Sequence, residues 1–176
     1  RFRAILILDI QGLLACSVYV DLNVIRAALA KTLEASEYTS IKRRLQTLQQ
    51  PDAPPEQRPD RFLAPLTIEA LRNELGRSSS GFRCSDNGFL DMSLKSYLEL
   101  LDWTARQVVE DKAGFTPADT PEILQRLGLR PEVWCELAGD VDNLFSLVAG
   151  HPGAIDTART IDGQNRFHAR ARAREL

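Results

Sequence analysis

The fold of this chain depends on residues 13–30, which read LLACSVYVDLNVIRAALA. Apolar side chains recur there every three or four residues, as they do on one face of an amphipathic helix. These apolar residues are Leu14, Val18, Leu22, Ile25 and Leu29. A neighbouring line with the same spacing carries Tyr19, Asn23 and Arg26. The stretch predicts one helix on which a phenol, an amide and a guanidinium share a face that could contact a phosphodiester. The simpler alternative is that this face lies at the boundary between core and solvent, with Tyr19 half buried.

Composition excludes several classes of protein. The 176 residues are 44% hydrophobic and 26% charged, which is ordinary for a globular protein and excludes a collagen-like or wholly disordered chain. A net charge of −2 excludes nucleic-acid binding by bulk basicity alone. Three separated cysteines and two histidines argue against a disulfide framework, a zinc site or an all-histidine metal site.

The apolar start of the chain, residues 4–20, allows two further interpretations. It resembles a lipoprotein signal, but Asp9 and Gln11 interrupt the apolar run, so a membrane-attached protein is disfavoured. Residues 5–8 also suit a buried strand that ends in a catalytic Asp9. We give this strand little weight as a catalytic element because no partner carboxylate motif follows it, and keep residues 3–8 as one candidate strand.

Charge and composition divide the remaining chain. The net charge is +3 over residues 1–50, −7 over 51–150 and +2 over 151–176, so the two ends are better suited to phosphate contact. Ser40 is expected to cap a helix that reaches about Gln49 and carries three adjacent cations, Lys42, Arg43 and Arg44. These cations either contact a DNA backbone or form ordinary solvated surface.

The rest of the chain predicts a linker, a helical extension and a tail. Four prolines within residues 51–60 and a Gly/Ser-rich stretch over 76–89 predict a flexible linker over 51–92, with one short helix over 67–75. Residues 93–150 predict a three-helix unit, with a stop at Gly128 and a third helix from Pro131 to about Val148. The basic tail, residues 151–176, is either a nucleic-acid arm or disordered, and we favour disorder for its end.

Residues 15–27, ACSVYVDLNVIRA, resemble a signature of bacterial single-tyrosine transposases, the insertion-sequence and REP-associated enzymes of the histidine–hydrophobic–histidine class. In that signature an Asn-Pro-hydrophobic-Arg-Ala sequence begins four residues after a tyrosine, as Asn23 follows Tyr19 here. Val24 replaces the proline. Blocks downstream, among them YLELLDWT at 97–104 and ILQRLGL at 123–129, extend the resemblance over most of the chain.

The resemblance implies a nucleophilic Tyr19 that attacks single-stranded DNA and forms a 5′-phosphotyrosine, with Asn23 and Arg26 orienting the helix or contacting DNA. Two histidines would hold a divalent metal, Mg or Mn, in an intact member of the family. No histidine precedes Tyr19, and His151 and His168 do not form the motif. We therefore expect no metal site and no cofactor in this chain, and an inactive fragment that lacks the metal-binding half.

The sequence thus predicts a mainly α protein: a tyrosine helix left from a ferredoxin-like core over residues 1–50, a linker, and a small helical bundle. The expected partner is single-stranded or hairpin DNA, bound through Asn23, Arg26 and the cations at 42–44, with a homodimer left open. We expect a cytoplasmic protein without membrane contact. The alternative function is a non-catalytic helical module that binds another protein.

Overall fold

The computed structural model describes a mainly helical protein, as the sequence predicts. The description covers residues 4–27, 29–37, 39–50, 52–54, 57–59, 63, 66, 90–109, 120–162, 167–168 and 170–175. The chain divides into two compact units. The first consists of residues 1–20 and 122–176, and the second consists of residues 21–121. The second unit is therefore an insertion in the sequence of the first.

The first unit contains a short parallel sheet of two strands. Strand β1 (Leu6–Ile7) pairs with β2 (Val148–Ala149), with Leu6 opposite Val148. The main chain extends the pairing at both ends, since Leu6 N donates to Leu147 O (2.8 Å) and Leu8 N donates to Ala149 O (2.9 Å). The candidate strand at residues 3–8 is thus confirmed at Leu6–Ile7.

Each strand of this sheet is followed directly by a long helix. Helix α1 (Ile10–Asp21) follows β1, and its last residue belongs to the second unit. After the insertion come the short helix α5 (Glu122–Arg126), then α6 (Pro131–Gly139) and α7 (Val141–Leu144). Helix α8 (Pro152–Asp162) follows β2, and α9 (Ala171–Glu175) comes last. Strand, helix, strand and helix therefore follow the order of a parallel α/β arrangement.

Apolar burial holds the first unit together. One cluster joins α7, β2, α8 and α9 through fully or almost fully buried side chains. Its members are Val141, Leu144, Phe145, Val148, Ala149, Ile155 and Ala173. Ile5, Ile7, Cys16 and Tyr19 pack against it from the start of the chain. This packing, rather than local sequence preference, fixes strands of only two residues.

The second unit is helical in its described residues. It contains α2 (Asn23–Arg26), α3 (Ser40–Leu48) and α4 (Leu94–Val109), and α2 packs against α4. The buried side chains of the unit come from all three helices and the segments beside them. They include Leu22, Ile25, Leu33, Ile41, Leu90, Tyr97, Leu100, Leu101 and Trp103.

Three expectations about helices are wrong. The single helix predicted over residues 13–30 ends at Asp21, and a separate turn of helix follows at Asn23–Arg26. The third helix predicted from Pro131 to Val148 ends at Gly139, because Val148 is recruited into the sheet. The end of the tail is not disordered at residues 171–175, since they form α9 and bury Ala173.

The division of the chain also differs from the predicted boundaries. The helices expected to form one bundle over residues 93–150 are shared between units, with α4 in the second and α5 and α6 in the first. The physical reason is the pairing of β1 with β2, which brings distant segments together. The short helix predicted over residues 67–75 lies outside the described residues.

Candidate functional site

Tyr19 lies on α1 in the first unit, and its ring is half buried against the apolar cluster. Its hydroxyl donates a hydrogen bond to Oδ2 of Asp142, at 2.5 Å. A carboxylate that accepts a phenol proton is an arrangement that general-base chemistry uses. The same contact is also an ordinary way to satisfy a half-buried phenol.

Asn23 and Arg26 lie together on α2 in the second unit, with Nη2 of Arg26 3.4 Å from Oδ1 of Asn23. Asn23 is exposed and Arg26 is half buried. The single helix predicted to carry these two residues with Tyr19 is interrupted at Leu22, so Tyr19 lies on α1 and the other two lie on α2.

The three cations at 42–44 do not form one exposed surface. Lys42 Nζ lies 3.8 Å from a carboxylate oxygen of Glu37, and Arg43 is exposed. Arg44 is only 8% exposed, so it is not available to a DNA backbone. Successive residues of a helix point about 100° apart, which explains why adjacent cations separate. Thr39, not Ser40, caps this helix, since its hydroxyl accepts from Lys42 N (3.2 Å).

Arg44 instead belongs to a buried polar group of the second unit. The Tyr97 hydroxyl, on α4, donates to Oδ2 of Asp21 at 2.5 Å. Burial raises the pKa of Asp21, while the bond from Tyr97 and the charge of Arg44 oppose that rise. Burial and the neighbouring Asp21 carboxylate raise the pKa of Tyr97 well above its usual range. Local sequence patterns do not predict this group, because its members are widely separated along the chain.

Asp9 occupies the position where β1 ends and α1 begins. Its Oδ1 accepts from Gly12 N (2.7 Å), and its Oδ2 accepts from His151 N (2.5 Å). The first bond caps α1, and the second ties Asp9 to the segment between β2 and α8. One carboxylate thus joins the carboxyl ends of both parallel strands.

Two glycines allow the backbone to approach this carboxylate. A Cβ on Gly150 would lie 2.8 Å from Oδ2 of Asp9, closer than real Cβ contacts come. A Cβ on Gly12 would lie 3.2 Å from Oδ1. Any side chain at Gly150 would therefore displace Asp9. The close fit is specific to glycine at the two points where strands lead into helices.

His151 follows Gly150 and is exposed. Its Nδ1 accepts a hydrogen bond from Gly153 N (3.1 Å), so in the neutral ring the proton lies on Nε2. Gln11, on the other strand-to-helix junction, donates from Nε2 to Leu127 O (3.0 Å). Both side chains line a cavity of about 70 Å³ in the first unit.

The cavity is otherwise apolar. Its walls come from α1, α6, α9 and the residues beside them, and Gly12, Gly150 and Pro152 complete the lining. The apolar side chains are Ala15, Leu129, Val133, Leu137, Phe145 and Ala173. Asp9 does not line the cavity but bonds to groups at its edge, since Gly12 lines it and donates to Asp9. Ligand pockets commonly combine an apolar wall with a few polar groups in this way.

Cys16 and Cys135, the two cysteines that the structure describes, have the properties of half-buried structural thiols. Burial raises the pKa of the Cys16 thiol, with Asp142 and Asp9 adding to the rise. Burial, aided by Glu132, raises that of Cys135 to about 11, so neither thiol has the lowered pKa of a reactive cysteine. Across the described ranges, His, Cys, Asp and Glu side chains do not gather in groups of three or more that suit a metal ion.

Comparison with known proteins does not assign the chain to a family. No family model matches the chain, and neither does any curated protein or solved structure with which it was compared. Within the part of the chain that the structure describes, no helix has the length and apolar character needed to span a membrane.

Proposed function

We propose that the first unit binds a small phosphate-bearing ligand at the carboxyl ends of β1 and β2, with Asp9 as the residue that holds its counter-cation. The observation that carries this proposal is the Asp9 carboxylate, fixed by N–H groups from both strand-to-helix junctions at 2.7 and 2.5 Å. In open parallel α/β sheets, ligands bind outside the carboxyl ends of the strands. Asp9 lies at that edge.

The charges at this edge favour a cation and an anion together. Asp9 contributes one negative charge, and the N-termini of α1 and α8 each contribute roughly half a positive charge. The sum is close to zero, so neither a lone cation nor a lone anion is strongly attracted. A divalent cation with a bound phosphate satisfies both components, because the carboxylate attracts the cation and the helix N-termini attract the anion.

The hydrogen bonding of Asp9 leaves room for a cation. Each carboxylate oxygen has about two acceptor positions and uses one of them for a backbone N–H. Mg²⁺ is commonly held by one or two carboxylates together with ligand phosphates and water, so it does not require a cluster of protein ligands. A single carboxylate at this position is therefore compatible with a Mg²⁺–phosphate pair.

The proposal is tested by adding MgCl2 and sodium phosphate, separately and together, while the backbone amide resonances are recorded by NMR. The Gly12 and His151 amides, which donate to Asp9, are expected to shift saturably when both salts are present and much less with either alone. Asp9→Asn is expected to abolish the shift, and Glu132→Gln, which removes an exposed carboxylate of the same unit, is expected to retain it. Equal shifts in the Asp9→Asn protein, with its fold verified by Trp134 fluorescence, would overturn the proposal.

The transposase resemblance supplies a second proposal, that the chain binds single-stranded or hairpin DNA without cleaving it. The specific observation in its favour is the exposed Arg43, a cation of the set expected to contact DNA that can reach a phosphate. The ferredoxin-like origin of residues 1–50 belongs to the same proposal. The burial of Arg44 narrows the cations open to DNA to Arg26, Lys42 and Arg43.

Fluorescence anisotropy with a labelled single-stranded oligonucleotide at low salt tests this second proposal. Binding is expected to weaken with added salt and with Arg43→Ala, because phosphate contacts release counterions. Arg106→Ala removes an exposed cation of α4 in the same unit and serves as the matched control. Absence of salt-sensitive binding leaves the alternative, a module that binds another protein.

A further inference from the structure

The cavity beside Asp9 is kept open by small residues. Ala15 on α1 and Ala173 on α9 line it, and both are buried. Valine or leucine at either position would extend into the space. Gly12, which also lines the cavity, contributes no side chain. The opening therefore results from three small residues on two helices, and larger side chains would close it.

The walls offer water few polar partners beyond Gln11 and His151. A buried water needs two to four polar partners, and apolar cavities remain dry while binding apolar molecules. Here the polar side chains are Gln11 and His151, and each already uses one of its polar atoms in a hydrogen bond to the backbone. The remaining lining side chains are aliphatic or aromatic.

The volume limits the size of the occupant. A cavity of roughly 150 Å³ holds a benzene ring. The present one, of about 70 Å³, is half that size and suits a branched group of about three or four carbon atoms. A nucleoside or a sugar ring would extend beyond this volume.

The cavity adjoins the position proposed for the phosphate. Gly12 lines the cavity and donates to Oδ1 of Asp9, and Gly150 lines it while packing against Oδ2. His151, whose main-chain N–H reaches Asp9, also lines the cavity. One ligand can therefore place a polar end at the strand ends and an aliphatic end among Ala15, Leu137 and Phe145.

We propose that the ligand of the first unit is a short branched alkyl phosphate, whose aliphatic group fills the cavity lined by Ala15, Leu137, Phe145 and Ala173. The identity of the phosphate end rests on the function proposed above, whereas the aliphatic end rests on the cavity alone. Isobutyl phosphate, with four carbon atoms, is the probe of the expected size.

Three probes separate the two parts: isobutyl phosphate with MgCl2, inorganic phosphate with MgCl2, and isobutanol. Binding is followed by methyl and amide resonances of the intact chain. Isobutyl phosphate is expected to bind about 50- to 200-fold more tightly than inorganic phosphate, because three or four carbon atoms leave water. Isobutanol is expected to shift the Ala15 methyl resonance saturably.

Cavity-filling variants test where the aliphatic group lies. Ala15→Val is expected to reduce the affinity for isobutyl phosphate to that for inorganic phosphate and to abolish the isobutanol shift. Ala158→Val makes the same change on α8, outside the cavity, and is expected to change neither. Should Ala15→Val fail to fold, Ala173→Val closes the cavity from α9 and is expected to give the same result.

The outcomes distinguish the two proposals. If isobutanol binds and neither phosphate does, the alkyl phosphate and the phosphate function both fail, and the cavity is a site for an aliphatic group alone. If inorganic phosphate binds as tightly as isobutyl phosphate and isobutanol does not bind, the cavity inference is overturned while the phosphate function stands. Unchanged probe binding in both folded valine variants also overturns the inference.

Discussion

The hydroxyl of Tyr97 is expected to stabilise the second unit by about 2 kcal/mol. Tyr97 is 0% exposed, and its hydroxyl donates to the Asp21 carboxylate at 2.5 Å. A hydrogen bond to a charged group contributes about 1.5–3 kcal/mol, and water cannot replace a donor at this depth. Tyr97→Phe removes only the hydroxyl, so the loss from an enlarged cavity is small. The middle of the hydrogen-bond range is therefore the expected cost.

Tyr19→Phe provides a matched comparison. Its hydroxyl donates to the Asp142 carboxylate at the same 2.5 Å, but the contact is exposed and belongs to the first unit. Water can then solvate the Asp142 carboxylate after the substitution, so the expected cost is about 0.5 kcal/mol. The two variants remove the same atom from the same type of bond and differ in burial.

Tryptophan fluorescence during urea unfolding measures both costs. The chain has two tryptophans, Trp103 in the second unit and Trp134 in the first, and both are buried. In a Trp134→Phe background, Tyr97→Phe is expected to lower the unfolding midpoint of the second unit by about 1 M urea, for a slope near 2 kcal/mol/M. A cost below about 0.5 kcal/mol, or equal costs for the two tyrosines, would refute the argument from burial.

Three further predictions follow from other contacts. Because burial raises the pKa of Asp21, the folded state binds the Asp21 proton more tightly than the unfolded state does. The free energy of unfolding should therefore decline as pH rises from about 3.8. Asp21→Asn should flatten that decline, as measured by urea titrations at several pH values. Gly150→Ala should lower the free energy of unfolding by about 1–3 kcal/mol, since its Cβ would lie 2.8 Å from Oδ2 of Asp9. Gly139→Ala, which has open space around its Cβ, should be neutral or stabilising. Similar unfolding midpoints for the two variants would contradict this prediction. With a pKa of about 11, Cys135 should react slowly with iodoacetamide at pH 8 and about tenfold faster per pH unit above it, as measured by mass spectrometry; rapid alkylation at pH 8 would contradict the raised pKa.

Local patterns predicted the elements whose signals are local. The three-helix unit predicted over residues 93–150 begins with a helix at Ser93, and α4 spans Leu94–Val109. Gly128 ends a helix with a φ of +65°, and Pro131 begins the next one, both as predicted. In each case the residues that start or stop the helix lie within a few positions of one another, so the helix boundary can be predicted from the sequence.

The candidate site depends on contacts between distant parts of the chain, which local sequence patterns do not predict. The run from Ile5 to Asp9 suits a strand that ends in an acidic residue, but no partner carboxylate motif follows it in the sequence. That partner is the main-chain N–H of His151, not a second carboxylate, and it comes from the far end of the chain. The sequence also does not predict the end of α1 at Asp21, because the apolar spacing continues through Leu22 and Ile25. The hydrogen bond that Asp21 accepts from Tyr97 depends on a residue far along the chain.

The pairing of Leu6 with Val148 has a consequence for how the chain is made. The residues of β1 leave the ribosome roughly 7–28 s before the strand that pairs with them, at synthesis rates of about 5–20 residues per second. Residues 21–121 are contiguous and can collapse during that interval, but the earlier segment must wait for a partner that does not yet exist. Nascent chains of this protein therefore expose the aliphatic β1 segment until residues 148–149 have been synthesised.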